Sequence, residues 1–411
     1  MSDLRYSGTR KACYVGYITQ AIVVNLAPLF YLIFQKRFQI SRTEIGQLVL
    51  VMFLVQLAVD LLSVKFIRIL GYRTACVAAH ALAAAGLVLL SFLPFVIQPY
   101  AGIMISIVVS SIGSGLIEVM ISPIIEAIPG DSSKTAMAFL HSFYCWGQAG
   151  VVLITTLVLL FVGNDRWNLL PLIWAVIPFC NMIAFIRVPI TDIDGDEPVR
   201  IRELVSSPMF ILAFAVMICS GASELAMSQW ASYFAEAGLG VTKVVGDLLG
   251  PCLFAVFMAV GRTVFGIFGE RVSLKKCLVA CGLITVASYL IAVFAPFPIM
   301  SLFGCSLCGL GVSLLWPGML SLSAWRFPHG GTALFALLAL GGDIGCSLGP
   351  YITGRVSDAV TSFPAFEELS GVMGIGIEQL SVKLGLLTVI IFPVFAVIGV
   401  LALGRTKRDK K

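Results

Sequence analysis

The chain has 411 residues, of which 59% are hydrophobic and only 12% are charged, and its formal net charge is +5. Its mean hydropathy is +1.00, whereas soluble domains carry about 25% charged residues, so the composition excludes a soluble globular protein. Apolar stretches of about 20 residues, enough to cross roughly 30 Å of hydrocarbon as helix, recur along the whole chain. We therefore predict a multi-spanning membrane protein.

The apolar segments predict helices and an all-α fold. VVLITTLVLLFV, for example, is apolar on every face, whereas strands of a membrane barrel alternate apolar and polar residues. The polar N-terminus runs directly into the first span without a small-residue cleavage site, so we expect no removable signal peptide. The twelve predicted spans are 13–34, 45–65, 74–94, 100–126, 136–162, 168–187, 208–235, 245–268, 274–294, 297–318, 331–353 and 384–404.

The basic residues predict the orientation of these helices. With a cytoplasmic N-terminus, roughly 20 of the Lys and Arg residues fall on the inside and about 7 on the outside, as the positive-inside rule requires. We therefore expect a protein of the cell membrane with both termini in the cytoplasm. The basic residues orient helices on this interpretation, and no nucleic-acid partner is expected.

Repeated motifs divide the chain into two halves. GSGLIE at 113–118 aligns with GLGVSL at 309–314, and WGQAG at 146–150 aligns with GGDIG at 341–345, at nearly the same offset. This offset covers an even number of spans, so it favours a parallel duplication over an inverted one. We predict six-helix bundles at 1–190 and 208–411, joined by a cytoplasmic linker at 191–207.

Several motifs carry a resemblance to a known family. GSGLIE in the fourth span, FLHSFYCWGQAG in the fifth, GASELA in the seventh and GLGVSLLWP in the tenth resemble the fucose, galactose and proton symporters, the fucose permease-like branch of the major facilitator superfamily. The resemblance implies the major facilitator fold and sugar symport. Some members have an acid in the first span, where this chain has only Gln20 and Asn25, so the coupling ion is left open between proton and sodium.

Two acids near the membrane midplane are candidates for cation coupling. Counted at 1.5 Å per residue, Glu224 lies roughly 24 Å and Asp343 roughly 18 Å from the inner end of its span, against about 9 Å for Arg262. We therefore expect Arg262 to be too shallow to neutralise Glu224. Glu224 could carry a cation, accept a solute hydroxyl, or be a static acid satisfied by nearby serines. Asp343 could share a proton or sodium with it, or have only a packing role.

A second candidate pair lies in the first half. Glu118 in the fourth span and His141 in the fifth fall at similar depths on adjacent helices. Because an acid stabilises the protonated imidazole, the pair would suit a proton relay. The alternative for His141 is a packing role.

Other polar and aromatic residues are candidates for solute binding and for conformational control. An aromatic face beside amide groups suits a sugar ring, although Trp146 could equally pack between helices. Charged residues near the cytoplasmic ends of spans suggest networks that hold one access state. The solute candidates are Asn25, Gln20, Trp146, Gln148, Gln229 and Trp316, and the network candidates are Asp60, Arg73, Arg262 and Arg271.

These features predict a secondary active transporter for a monosaccharide or related polyol, coupled to protons or sodium. Solute would bind between the halves, and rocking of the halves would alternate access. The alternative within the same fold is an exporter of amphipathic compounds. An enzyme is not expected, because three scattered histidines supply no metal cluster. The sequence also lacks a phosphate-binding glycine loop, so we do not expect direct ATP drive. We expect a monomer in the bilayer without a cofactor or bound metal, and we expect Glu224→Gln to abolish gradient-driven accumulation.

Overall fold

A computed structural model describes residues 6–128, 133–190, 204–327 and 331–403. It is all-α over this part of the chain, which confirms the predicted fold class. Long helices correspond to the predicted spans, and we number them as follows: α1 Ser7–Phe38, α2 Arg42–Leu62, α3 Ile69–Val96, α4 Pro99–Glu126, α5 Ser133–Val162, α6 Leu169–Arg187, α7 Pro208–Tyr233, α8 Leu253–Phe268, α9 Leu274–Phe294, α10 Pro298–Arg326, α11 Gly331–Ser362 and α12 Ile377–Ala402.

Eleven of the helices in the described residues are long and apolar enough to cross a membrane. The remaining predicted span lies in α11, a helix of 32 residues that is outside those eleven. Several helices extend beyond their predicted ends, since α1 begins at Ser7 and α12 at Ile377. Hydropathy predicts only the apolar part of each helix, so it misses the polar turns by which a helix continues beyond the membrane span.

Local sequence explains where these helices begin and break. Ser41 and Glu44 form a reciprocal capping box before α2, with Ser41 N donating to Glu44 Oε2 at 2.8 Å and Glu44 N to Ser41 Oγ at 3.1 Å. Pro28 lies in a 3₁₀ turn inside α1, where its missing N–H interrupts the α-helical ladder. Near the start of α3, Gly71 has φ of 74°, a conformation that favours glycine.

Short helical elements lie between the long helices of the second half. Two π-helical turns, Phe234–Gly238 and Leu248–Cys252, flank the short helix Lys243–Asp247 between α7 and α8. Another short helix, Pro364–Met373, lies between α11 and α12.

The chain divides into two compact units. The first comprises Met1–Ile40 and Val51–Asp194, and the second comprises Ser41–Leu50 and Gly195–Lys411. The beginning of α2 therefore belongs to the second unit. The predicted linker, 191–207, lies outside the described residues up to 203, and the predicted domain boundaries stay predictions.

Corresponding helices make corresponding contacts inside each unit. In the first unit α1 packs against α5, and in the second unit α7 packs against α11. Glycines allow close approach of the next pair: a Cβ at Gly113 would lie 2.4 Å from the Ala79 carbonyl oxygen of α3, and one at Gly311 would lie 2.5 Å from Thr285 Oγ1 of α9. These pairings agree with the parallel duplication inferred from the sequence.

Candidate functional site

One face of α1 carries polar side chains that meet α4 and α5. The Tyr17 hydroxyl lies 3.0 Å from Ser122 Oγ, and Gln20 Nε2 donates to Glu118 Oε2 at 2.7 Å. Further along α1, Asn25 Nδ2 lies 3.0 Å from the Ala21 carbonyl oxygen and 3.2 Å from the Tyr144 hydroxyl. Gln20 and Asn25 are each 6% exposed, and they flank the middle of α1.

The predicted pair of Glu118 and His141 lies beside two residues of α1, Tyr17 and Gln20. The imidazole of His141 lies against the Tyr17 ring, with ring centroids 5.0 Å apart at 75°. Glu118 accepts from Gln20, one turn along α1 from Tyr17. The structure therefore places both residues beside α1, where His141 contacts Tyr17 and Glu118 contacts Gln20. The relay stays a prediction.

Glu224 has a basic neighbour in the second unit. Its Oε2 lies 3.9 Å from Nη2 of Arg262, and the two residues are 9% and 8% exposed. The expectation that Arg262 is too shallow to reach Glu224 is wrong. Depth along straight helices ignores the length of the arginine side chain, which can extend along apolar surface to bring its charge to a partner.

A proline in α10 explains the second contact of Arg262. Pro317 has no N–H to offer to the Ser313 carbonyl four residues earlier, and α10 is interrupted there between Val312 and Leu315. Arg262 Nε donates to this carbonyl oxygen at 3.1 Å. The GLGVSLLWP motif thus orients the guanidinium that faces Glu224.

Asp343 lies in the tightly packed glycine segment of α11. It is 2% exposed, and a Cβ at the preceding Gly342 would lie 2.1 Å from the Trp316 ring. A Cβ at Gly345 would lie 1.9 Å from the Ile218 carbonyl oxygen of α7. The helices therefore pack closely around Asp343, and Trp316 is a packing partner of α11. The coupling role of Asp343 stays a prediction.

The remaining solute candidates differ in exposure. Trp146 is 48% exposed on the same face of α5 as Phe139 and Leu153, which are spaced seven residues apart. Gln148 and Gln229 are 2% and 1% exposed. Their solute contacts stay predictions.

Of the predicted network residues, Arg73 and Arg271 each contact a partner close to a helix end, and the conformational network stays a prediction. Arg73 donates to the carbonyl oxygens of Phe185 and Ile186 at 2.9 and 2.7 Å, where a cation stabilises the C-terminal end of α6. Arg271 lies over the Phe268 ring, 5.9 Å from its centroid. The carboxylates of Asp60 and Glu118 are close enough to interact electrostatically as like charges.

Sequence reasoning missed an arginine cluster in the second unit. Arg42 is 6% exposed, its Nε donates to the Tyr233 hydroxyl at 2.9 Å, and its guanidinium pairs with Asp358 and Glu378. Thr43 N also donates to Asp358 Oδ2 at 2.7 Å. The predicted spans offered a signal, because Arg42 lies between the first and second spans while Asp358 and Glu378 lie between the eleventh and twelfth, and these two loops fall on the same side of the membrane.

A histidine network was also missed. His80 Nδ1 lies 2.8 Å from the Cys76 carbonyl oxygen, so it is the protonated nitrogen, and Nε2 accepts from Asn181 Nδ2 at 2.8 Å. Asn181 Nδ2 also donates to the Ala12 carbonyl oxygen at 3.0 Å. This fully buried imidazole links α1, α3 and α6 and is structural.

Comparison with known protein families identifies the superfamily of this chain. The sequence profile of the Major Facilitator Superfamily matches residues 13–350. The chain belongs to this superfamily. A curated relative, the membrane protein MosC of Rhizobium meliloti, is 24% identical over 334 residues, which cover 79% of this chain and 78% of MosC.

Solved structures share the fold of this major facilitator protein. The E. coli fucose:proton symporter FucP has a TM-score of 0.66 at 15% identity, covering 98% of this chain and 100% of FucP. A D-xylose-proton symporter has a TM-score of 0.73 at 12% identity, with 94% and 97% covered, and the nucleoside transporter NupG has 0.73 at 11%, with 98% and 100% covered. Major facilitator proteins are membrane transporters and not enzymes. Membrane transport is therefore the general function of this chain.

Proposed function

We propose that this major facilitator protein is a secondary active transporter of a monosaccharide or related polyol. The observation that carries the proposal is the polar face of α1, where Tyr17, Gln20 and Asn25 meet polar groups of α4 and α5. These residues span about 12 Å along the helix axis. The face therefore offers hydroxyl, amide and carboxylate groups over the length of a small solute.

The chemistry of these groups suits a solute with many hydroxyls. Each hydroxyl both donates and accepts, and amide side chains such as Asn25 can do the same, while Glu118 is an acceptor when ionised. The apolar ring face of a sugar can pack on aromatic groups such as the stacked pair Tyr14 and Phe143, whose centroids are 4.4 Å apart. A site built mainly for amphipathic drugs would instead be dominated by apolar contacts.

The transport cycle is proposed to use alternating access driven by a proton or sodium gradient. The structural neighbours support this, since two are named as proton symporters of fucose and D-xylose. Acids available for coupling are Glu118 in the first unit and Glu224 and Asp343 in the second. We also propose a monomer in the cell membrane with cytoplasmic termini, in agreement with the distribution of basic residues.

Uptake into proteoliposomes tests the proposal. Labelled hexoses, pentoses and polyols are offered with an inward proton gradient, an inward sodium gradient or neither. We expect one solute to accumulate under one gradient and to leave when the gradient is dissipated. Asn25→Ala should raise the KM for that solute by about 3–10-fold, as the loss of one hydrogen bond predicts, whereas Asn164→Ala on an exposed turn should not.

One pattern of uptake and export would contradict the proposed solute class. If no sugar or polyol accumulates under either gradient while amphipathic dyes are expelled from loaded vesicles, the chain is an exporter and the proposed solute class is wrong.

A further inference from the structure

Polar side chains from three helices of the first unit converge beside Glu118. Gln56 and Asp60 lie one turn apart on α2, and Ser114 and Glu118 lie one turn apart on α4. Gln56 Nε2 donates to Ser114 Oγ at 2.9 Å, Asp60 interacts electrostatically with Glu118, and Gln20 of α1 donates to Glu118. We call these five residues the α1–α2–α4 cluster.

Glycine allows α2 and α4 to approach closely within this cluster. A Cβ at Gly115 would lie 3.2 Å from the Gln56 Cα and from the Val59 Cβ. Because Gly115 follows Ser114 directly, the two helices approach closely next to the contact between Gln56 and Ser114. The cluster is therefore a defined contact between helices and not a solvated surface.

Two amide oxygens in the cluster are buried without a hydrogen-bond partner. They are Gln20 Oε1 and Gln56 Oε1, and their residues are 6% and 1% exposed. Each amide uses its NH₂ group for Glu118 or Ser114, so its oxygen can only accept. A buried acceptor without a donor is unfavourable by about 1–3 kcal/mol, and two occur beside two carboxylates.

An acceptor-rich set of this kind matches the ligand preference of a hard cation. Carboxylate and amide oxygens are the donors that alkali and alkaline-earth ions take in proteins. Calcium takes six to eight oxygens, and magnesium keeps several waters in a strict octahedron. Two neutral amides and two carboxylates spread over three helices offer fewer ligands and less charge than calcium sites usually have, which favours a monovalent ion.

We propose that the α1–α2–α4 cluster binds a sodium ion through oxygens of Gln20, Gln56, Asp60 and Glu118. The inference rests on the proposed function in one respect, because it makes this ion the coupling ion of the transporter. The site connects α1, whose polar face is the proposed solute site, to α2 and α4. Binding of the ion would therefore order the Gln20 side chain next to the solute.

Sodium-dependent thermal stability of the purified full-length protein tests the site without any solute. Apparent Tm is measured in choline chloride and then with NaCl, KCl, MgCl₂ or CaCl₂ substituted at constant ionic strength. A ligand at about 100 times its Kd should raise the apparent Tm by about 5–10 °C for a unit of this size. We expect a saturable rise with NaCl and none with KCl or choline.

Two variants locate the ion. Glu118→Gln removes one carboxylate with little change of shape, and Gln56→Leu removes one amide oxygen. Each should weaken the sodium response at least tenfold in midpoint concentration, whereas the exposed Glu367→Gln should leave it unchanged. If either variant does not fold, judged by its Tm in choline chloride, Gln20→Asn replaces it because it retains the amide and only shortens its reach.

Several results would overturn the site. Equal Tm values in sodium and choline would refute ion binding, and an equal response to potassium, or a response to magnesium or calcium alone, would refute a sodium site. An unchanged response in all cluster variants would place the ion elsewhere. Because no solute is present, these failures leave proton-driven sugar uptake untouched, while failed uptake with intact sodium binding would refute the proposed function alone.

Discussion

The buried pair formed by Glu224 and Arg262 can be tested quantitatively with a double-mutant cycle. The two side chains are about nine-tenths buried, and the closest charged atoms are 3.9 Å apart. At an effective dielectric constant near 20, this separation corresponds to about 4 kcal/mol of attraction. Removing one partner of a buried pair leaves the other uncompensated and typically destabilises by about 3–5 kcal/mol.

The expected change in melting temperature follows from these values. At the lower end, which suits a 3.9 Å contact, about 3 kcal/mol lowers the apparent Tm of a unit of this size by roughly 6–12 °C. We therefore expect Glu224→Gln and Arg262→Gln each to melt earlier, with Glu224→Gln affected more because a carboxylate left alone can take up a proton and an arginine cannot. The double variant should recover part of the loss.

The assay is thermal unfolding of each purified protein in the same detergent, and Arg271→Gln is the matched control because that arginine is exposed. Uptake measurements on the same proteins separate stability from coupling. Single and double variants whose Tm losses simply add would refute the ion pair. If Glu224→Gln melts normally yet loses accumulation, Glu224 acts in coupling without depending on Arg262 for stability.

Three further predictions concern packing and buried hydrogen bonds. Asn181→Leu leaves the acceptor nitrogen of His80 unsatisfied and should destabilise the first unit by about 1–3 kcal/mol, seen as a lower apparent Tm. Gly309→Ala should lower Tm by several degrees or prevent folding, because its Cβ would lie 2.0 Å from a backbone oxygen, whereas Gly150→Ala meets nothing within 4 Å and should be neutral or stabilising. Arg42→Gln should reduce both Tm and transport rate, since it removes the charge that two acids share.

Exposed residues provide controls for this group. Cys180→Ser changes an exposed neighbour of Asn181, and Arg166→Gln removes an exposed arginine. An Asn181→Leu protein as stable as the parent would contradict the histidine network. A Gly309→Ala protein of normal Tm would contradict the close packing of α8 and α10, and an Arg42→Gln protein with unchanged Tm and transport would show that its ion pairs are dispensable.

The sequence by itself determined the membrane class, the helical spans and the parallel duplication. Each of these three features follows from local hydropathy or from motifs at a nearly constant offset, and none requires knowledge of which side chains meet. It also singled out Gln20, Glu118 and Glu224 as unusual, because polar groups are rare in apolar helices.

Only the tertiary structure decided the partners of these residues. Sequence spacing gives depth along one helix, but contacts also depend on helix rotation, on side-chain length and on breaks such as the one at Pro317. For this reason Glu224 is paired with Arg262 against expectation, and Gln20 meets Glu118, which no pattern indicated. The buried amide oxygens of Gln20 and Gln56 become visible only when three helices are packed together, since burial is a property of neighbours and not of sequence.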